Sequence, residues 1–480
     1  GGSEKLLTTL CQPIFEGIKD PQPIEITDSP GVKNPGPGGH VYIQFMNYRS
    51  WNPTFFAPNA FNKFYGLDPS NPIFKHTIQY AIDYTVYEPI PGDCGGRVPD
   101  QVPVYIYLHG WRDNRYAEMD QNLYHYCAYG IYPNDVNQTW YFGFAKQHDY
   151  RTGSPVGVKD TIVNYTEQRI LRMLYDLERQ APGPAVDVQR IYVFGFSMGG
   201  TGSLSFAERY PNVFAAAYAG APMTNFRTSG ITHQDWVNDV AVKWGNPAFN
   251  LPIEISAPSD WANHLQQYNG IGVWDWQDLQ AHLSSTVLAQ RRKDDMAIIG
   301  VDHGIPDHVI IWETQGKPFY EAVDRSARAW GGAVTNNDHD WANFVGLPPW
   351  MGIIRNAPFW NFSIIRDETV PGIMNSSGNP VIPPEKTGKY NLNIKWSSSW
   401  DPWAGIPIDS VDRWEMSFCS VGLGSTACGG NVSLIVDVIP RRLRNFIPVP
   451  GMSYRWENWD IKRNELIESG VVFSDQNGLL

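Results

Sequence analysis

The chain has 480 residues, more than one hydrophobic core comfortably supports, so two domains are expected. Its formal net charge of -12 provides no field for gathering nucleic acid or anionic lipid, so neither is an expected partner. No apolar run approaches the roughly 18 residues that a membrane span needs.

Residues 1–75 are expected to form an N-terminal arm or extension. Pro and Gly crowd residues 30–39, which indicates an extended segment over the surface. The stretch between this segment and His76 has no clear periodicity.

Residues 76–350 alternate apolar runs with helix-like segments, which predicts an α/β catalytic domain. The runs that predict strands are residues 77–87, 102–108, 191–194, 213–219 and 296–301. Buried parallel strands have such continuous apolar runs, so a mostly parallel sheet with flanking helices is expected. Asn164-Tyr165-Thr166-Glu167 predicts a helix start with a capping box. Residues 222–295 hold several Trp and are a possible cap insert.

The character of the sequence changes near Pro348-Pro349-Trp350. Beyond it, apolar and polar residues alternate, as in residues 414–418 and 432–438, and this is the period of half-buried strands. Residues 351–480 are therefore predicted to form a C-terminal all-β sandwich domain. The cluster Arg441-Arg442-Leu443-Arg444 is interpreted as a charged strand edge that discourages aggregation.

The sequence Gly195-Phe196-Ser197-Met198-Gly199 has the form G-x-S-x-G and lies between an apolar run and a helix-like segment. This is the nucleophile-elbow pattern, in which a sharp strand-to-helix turn lifts a serine above the sheet. Glycines relieve the crowding of such a turn, and the next helix presents its positive N-terminal end to a developing oxyanion. Ser197 is therefore the predicted nucleophile, with an ordinary Gly-rich turn as the alternative.

A serine nucleophile needs a base and an orienting acid, which in this arrangement follow in the order Ser, Asp, His. Two aspartates, Asp302 and Asp307, follow the apolar run 296–301. Asp307 is preferred because H-G-x-x-D-x-x-V resembles the acid-bearing loop of many α/β-hydrolases, and Asp302 stays the alternative acid. His339 is the predicted base, since one helix and one strand fit between it and Asp307. No metal is expected there, because neighbouring loop residues rarely converge on one ion.

An oxyanion hole needs two backbone N–H groups. One is expected from Met198, directly after the nucleophile, and the other from Trp111, with Gly110 as the fallback. His109 is interpreted as a loop-bracing residue and not as a catalyst. Four tryptophans adjoin catalytic segments or lie in the cap and are candidate substrate-binding walls, with core burial as the alternative for each: Trp111, Trp274, Trp276 and Trp341.

The chain has five cysteines. Cys419 and Cys428 flank a hairpin-like turn and are expected to form a disulfide, whereas Cys94 could pair with Cys127 or with Cys11. No C-x-x-C spacing occurs, so a zinc or redox site is not expected. Few cysteines, many Trp and an acidic charge favour a secreted or periplasmic enzyme.

The stretch from Val186 to Ala216, centred on Ser197-Met198-Gly199-Gly200, resembles the secreted esterase branch of the α/β-hydrolase superfamily. That branch holds feruloyl esterases, acetyl xylan esterases and polyhydroxybutyrate-depolymerase-like enzymes, and it borders the prolyl-oligopeptidase catalytic domain. Leu108-His109-Gly110 and the loop from His303 to Val309 are similar to the same group. The resemblance implies hydrolysis of carboxylic esters through an acyl-enzyme, with no cofactor.

Two classes of function remain open at this point. The first is a serine hydrolase that cleaves small-molecule, polymeric or wall-linked carboxylic esters, with a serine peptidase on the same fold as its close variant. The second is a non-catalytic binding protein that acts through the β domain at residues 351–480. An intact set of Ser197, Asp307 and His339 favours the enzyme.

Overall fold

The structure is a computed structural model. It describes residues 23–28, 32, 34–45, 81–113, 126–135, 138–146, 156–228, 236–283, 294–341, 364–382, 385–421, 428–429 and 433–480. Most of the predicted N-terminal arm, residues 1–75, lies outside these ranges.

Strands outnumber helices in the described part of the chain. In chain order they are β1 (Ile24–Glu25), β2 (Gly39–Phe45), β3 (Ala81–Tyr87), β4 (Gln101–Leu108), β5 (Tyr129–Pro133), β6 (Phe144–Ala145), β7 (Ile162–Val163), β8 (Ala185–Phe196), β9 (Ala216–Gly220), β10 (Ile253–Glu254), β11 (Ile298–Gly304), β12 (Trp330–Thr335), β13 (Val370–Met374), β14 (Gly388–Tyr390), β15 (Ile394–Trp396), β16 (Ile408–Asp409), β17 (Trp414–Glu415), β18 (Phe418–Ser420), β19 (Asp437–Arg441), β20 (Ser453–Asp460) and β21 (Glu465–Phe473). The helices are α1 (Tyr165–Gln180), α2 (Met198–Arg209), α3 (Trp236–Trp244), α4 (Val273–Trp276), α5 (Leu279–Leu283) and α6 (Gly316–Arg325), with 3-10 turns at Phe226–Thr228 and Asn263–Tyr268.

The central element is a ten-stranded sheet in the order β1-β2-β3-β5-β4-β8-β9-β11-β12-β14. Every adjacent pair of strands from β5 to β12 in that order is parallel. Antiparallel strands lie at the two edges, β1 to β3 on one side and β14 on the other. The prediction of a mostly parallel α/β sheet is confirmed by this parallel centre.

The two faces of the sheet are buried by different parts of the chain. Successive side chains of a strand point to opposite faces, and β4 follows this rule. Val104 and Ile106 lie in one buried cluster with side chains of α1 and α2, whereas Tyr105 and Tyr107 lie in a second cluster. C-terminal residues from Ile364 to Trp396 belong to that second cluster. The C-terminal segment therefore shares a core with the sheet that positions the site.

The insert at residues 222–295 is built, in its described parts, from short helices and irregular segments. Its strand β10 pairs in parallel with β7, so the insert is tied to the segment that precedes α1. Aromatic rings fill its interior: Trp140 contacts Phe226, Phe226 contacts Trp244, and Trp244 contacts Trp274, with centroid separations from 5.0 to 5.8 Å. The insert is thus held to the rest of the fold by packed aromatic side chains.

Beyond residue 363, β14 joins the large sheet, and the other described strands form the pairs β13–β19, β15–β18, β16–β17 and β20–β21. The β character of this region is as expected. The sandwich arrangement and the boundaries at residues 75 and 350 stay predictions, since residues 46–80 and 342–363 lie outside the described ranges.

The interpretation of Arg441 and Arg442 as a charged strand edge is wrong, because both are buried. The Arg442 guanidinium donates to the carbonyls of Ala215 and Met296, at 2.6 and 3.2 Å. These carbonyls lie beside the first residues of β9 and β11, so the cluster ties the C-terminal segment to the sheet.

Cys419 and Cys428 form the expected disulfide, and Cys94 pairs with Cys127. Cys11, the other partner considered for Cys94, lies outside the described residues. Within the described part of the chain, no helix has the length and apolar character required to cross a membrane.

Candidate active site

The nucleophile elbow joins β8 to α2 at Ser197. Its backbone has φ 57° and ψ −117°, a strained conformation that residues other than glycine rarely adopt. The Ser197 amide donates to the Gly220 carbonyl at 2.8 Å, and its carbonyl accepts the Thr201 amide at 3.0 Å. Because α2 begins at Met198, the free N–H groups of its first turn lie directly after the serine.

Close backbone contacts account for the glycines of the elbow. A Cβ on Gly199 would overlap the carbonyl of Leu108, and a Cβ on Gly195 would lie 2.5 Å from the same oxygen. Leu108 is the last residue of β4, so the elbow approaches the loop that is predicted to supply the second oxyanion donor. Only glycine permits this approach.

Asp307 and His339 are brought together by two neighbouring parallel strands, β11 and β12. The Nδ1 atom of His339 lies 2.8 Å from Oδ2 of Asp307, whose side chain is fully buried. With Nδ1–H donated to the carboxylate, Nε2 is the ring nitrogen left to accept a proton. The His339 ring also contacts Phe196, which precedes Ser197, at a centroid separation of 4.8 Å. The base candidate therefore lies beside the elbow.

The alternative acid, Asp302, has a different environment. It is fully buried within β11, and its Oδ2 accepts a hydrogen bond from the Tyr218 hydroxyl. Tyr218 lies on the adjacent strand β9, so this bond is internal to the sheet. The carboxylate that bonds to His339 is that of Asp307.

The turn that carries Asp307 is braced by its own backbone. Oδ1 of Asp307 accepts the N–H groups of Val309 and Ile310, both at 2.8 Å. Burial lowers the pKa of His303, whose neutral ring donates from Nε2 to the Ile310 carbonyl at 2.7 Å. His303 received no role of its own from the sequence, although it is the first residue of the H-G-x-x-D pattern that contains Asp307.

The predicted oxyanion donors come from the first residue of α2 and from the loop after β4. The Asp135 amide donates to Nε2 of His109 at 2.9 Å, so the proton is on Nδ1, which donates to the Gly110 carbonyl at 2.8 Å. Burial lowers the pKa of His109, in keeping with this neutral form. The carbonyl of Gly110 and the N–H of Trp111 belong to one trans peptide and point in opposite directions. His109 thus orients the Trp111 N–H and acts as the expected brace.

The four candidate tryptophans differ in burial. Trp341 is half-buried, stacks on Tyr218 and contacts Phe196, at centroid separations of 5.7 and 5.0 Å. Trp111 is also half-buried, with the Arg112 guanidinium 4.0 Å from its ring centroid. Two lie in the interior of the insert, where no substrate reaches them without rearrangement: Trp274 and Trp276. Trp274 contacts Trp244, and Trp276 contacts Tyr268 of the insert and the Arg209 guanidinium of α2. Both tryptophans therefore have the core burial that was the alternative to a substrate-binding role.

A model of the prolyl oligopeptidase family matches residues 179–270, a stretch that contains the elbow. The match covers less than half of the chain. No curated protein matches this sequence.

Several solved structures are similar to part of the chain. An S-formylglutathione hydrolase from Agrobacterium tumefaciens is 17% identical over 63% of this chain and 89% of its own, with a TM-score of 0.37. A ferulic acid esterase is 18% identical over 56% and 89%, with a TM-score of 0.33. An acylaminoacyl peptidase from Pyrococcus horikoshii is 14% identical over 55% and 36%, with a TM-score of 0.34. These likenesses are too low to assign an activity to this chain.

Proposed function

We propose that this protein is a serine hydrolase that cleaves carboxylic esters through an acyl-enzyme. The observation that carries the proposal is the 2.8 Å contact of His339 Nδ1 with Asp307 Oδ2, next to the strained elbow at Ser197. Nε2 of His339 takes the hydroxyl proton as Ser197 Oγ attacks the ester carbonyl, and then returns it to the leaving alcohol. Asp307 holds the imidazole tautomer and stabilises the imidazolium. Water then releases the acid by the same steps.

The oxyanion of each tetrahedral intermediate is held by the backbone N–H groups of Met198 and Trp111. Support comes from their placement, one on the first residue of α2 and the other on the peptide that His109 orients. A donor of this kind contributes about 2.7–4 kcal/mol to transition-state stabilisation. Because a backbone donor survives side-chain replacement, an active-site anion trapped in a crystal is the direct test of these two groups.

The nucleophile is tested with a fluorophosphonate probe and peptide mass spectrometry. We expect one adduct on Ser197, and no adduct in Ser197→Ala. Folded protein that remains unlabelled contradicts the proposal and favours the non-catalytic binding protein. An adduct on another serine contradicts the assignment of Ser197 as the nucleophile.

A serine peptidase is the second candidate, and the match of residues 179–270 to the prolyl oligopeptidase family favours it. Ester and amide acyl transfer use the same nucleophile, base and oxyanion donors, so the residues of the site do not separate them. Hydrolysis of an ester and of its matched amide, with the same acyl group, separates them directly. Efficient amide turnover would replace the esterase proposal with the peptidase.

Polymeric or wall-linked substrates form part of the proposal on the strength of the hairpin β20–β21. Its Trp456 and Trp459 are 40% and 47% exposed, and the Trp459 indole N–H donates to Glu457 at 3.0 Å. An exposed aromatic face packs against the C–H groups of a sugar ring, and a neighbouring carboxylate accepts hydrogen bonds from the sugar hydroxyls. Co-sedimentation with insoluble polysaccharide, compared with that of Trp456→Ala, tests this part. The two disulfides support a secreted or periplasmic location.

A further inference from the structure

The acid turn contacts a residue of the insert, Trp236, which begins α3. Trp236 is 2% exposed, and its indole N–H donates to the Val309 carbonyl at 3.1 Å. Val309 lies two residues after Asp307, the acid candidate. Trp236 and Val309 are 73 residues apart in the sequence. One buried side chain thus connects the insert to the catalytic loop.

The bond reaches Asp307 through a single peptide group. The Val309 carbonyl and the Ile310 N–H belong to the same peptide, and that N–H donates to Asp307 Oδ1 at 2.8 Å. A donor on the carbonyl polarises the peptide, so its N–H becomes a stronger donor, and the bond also fixes the peptide plane. The other oxygen of Asp307 bonds to His339. The path therefore runs from Trp236 through one peptide to the carboxylate that orients the base.

The ring of Trp236 contacts the second catalytic loop. It packs edge to face against Trp111 at a centroid separation of 5.1 Å and against Trp140 at the same separation. The N–H edge of Trp236 therefore holds the acid turn, while its rings pack against the residue whose backbone N–H is the second oxyanion donor.

We propose that Trp236 is a positioning residue of the catalytic site, which holds the Asp307 carboxylate through the Val309–Ile310 peptide and supports the Trp111 loop. This inference rests on the proposed serine-hydrolase function. It assigns the insert a part in the geometry of the transition state.

Trp244 provides a matched control on the same helix. It is fully buried, its indole N–H donates to the Gly143 carbonyl at 2.8 Å, and its ring contacts Phe226 at 5.0 Å. Trp244→Phe removes the same indole N–H and the same ring area as Trp236→Phe, without a bond to the acid turn. A second protein carries benzothienylalanine at position 236, which keeps the two-ring shape and removes only the N–H.

Steady-state kinetics on an ester substrate are the first readout. We expect both position-236 variants to lose about tenfold or more in kcat with KM nearly unchanged, because misplacement of a catalytic group lowers the rate and leaves ground-state binding intact. Trp244→Phe should keep the parent kcat. Parent-like kcat in a folded benzothienylalanine protein, or an equal loss in Trp244→Phe, overturns the proposal.

The second readout needs no turnover. A histidine N–H bonded to a carboxylate gives a far-downfield proton NMR resonance, which is assigned here by its loss in His339→Ala. In a Ser197→Ala background, this resonance should weaken or broaden in the position-236 variants and persist in Trp244→Phe. An unchanged resonance overturns the role of Trp236, whereas an unlabelled parent protein overturns the proposed function, so the two failures are distinguishable.

Discussion

Glu167 and Arg209 form an ion pair that is fully shielded from solvent, with Arg209 Nη1 2.5 Å from Glu167 Oε1. Glu167 lies in the first turn of α1, and Arg209 is the last residue of α2, the helix that follows the nucleophile. Arg209 Nη2 also donates to the Trp276 carbonyl at 2.9 Å. The pair therefore joins two helices of the sheet domain to the insert.

The predicted capping box at the start of α1 is wrong. The Glu167 carboxylate bonds to side chains, and Asn164 makes no side-chain cap.

Breaking the pair of Glu167 and Arg209 should cost much of the stability of the protein. Glu167→Gln leaves the Arg209 charge buried without its counter-ion, and the expected loss is about 3–5 kcal/mol in the free energy of unfolding, measured by urea denaturation. The control is Glu321→Gln, since its partner Arg325 is 74% exposed and such a surface pair contributes about 0.5 kcal/mol or less. Equal losses in the two variants would mean that Arg209 is held by its other acceptors.

The two acid candidates should separate by phenotype. Asp307→Asn keeps the shape of the side chain but lets His339 take the wrong tautomer, and about a 10⁴-fold fall in kcat is expected with near-parent stability. Asp302→Asn should affect activity little and lower the melting temperature, because it alters a buried hydrogen bond with Tyr218. Ester hydrolysis and thermal unfolding of both variants are the measurements. A reversed pattern would make Asp302 the acid.

Crowding at the elbow predicts that Gly199→Ala is not tolerated. The added Cβ would overlap the Leu108 carbonyl, so either the elbow backbone or the end of β4 would have to shift. We expect loss of fluorophosphonate labelling together with a lower melting temperature. Gly110→Ala is the control for stability, since a Cβ there meets nothing within 4 Å. A folded, labelled Gly199→Ala protein would show that the two backbones separate more easily than the contact suggests.

Glu178 predicts a pH-dependent contribution to stability. Burial raises the pKa of Glu178 to about 7, opposed by the nearby Arg366. The folded protein thus holds this proton more tightly than the unfolded chain, whose glutamates titrate near about 4.3. The protonated Glu178 therefore stabilises the fold fully below about pH 4.3, and this stabilisation is lost as the pH rises through about 7. The free energy of unfolding of Glu178→Gln should therefore exceed that of the parent by about 1 kcal/mol at pH 8, allowing for the partial exposure of this side chain, and should differ little at pH 4. Equal differences at both pH values in urea denaturation would contradict this.

Much of the sheet could be predicted because its signals are local. The run at 102–108 corresponds to β4, and the run at 191–194 lies inside the longer strand β8. The helix-like pattern after the elbow begins at Ser203 in the sequence, but α2 begins five residues earlier, at Met198, because the small residues of its first turn give no periodic signal. β8 begins at Ala185, six residues before the run at 191–194, because polar residues interrupt the apolar pattern of its first half. Two strands of the parallel centre of the sheet, β5 and β12, were not among the predicted strands.

The candidate site was predictable only as a set of residue types in chain order. Gly195-x-Ser197-x-Gly199 is a local pattern, since the turn itself demands those residues. The choice between Asp302 and Asp307 depended on a resemblance, because both aspartates follow the same apolar run in the sequence and no local signal distinguishes them. The roles of His303 and Trp236 could not be predicted, since each depends on a partner whose position the fold sets.

The sequence by itself determined the α/β alternation and the elbow, because apolar periodicity and turn chemistry act over a few neighbouring residues. Only the tertiary structure decided which carboxylate meets His339, that Arg442 is buried, and that C-terminal residues share a core with the sheet. These outcomes depend on contacts between segments far apart in the chain, and such contacts are set by the order of the strands and by the exclusion of water from a shared core.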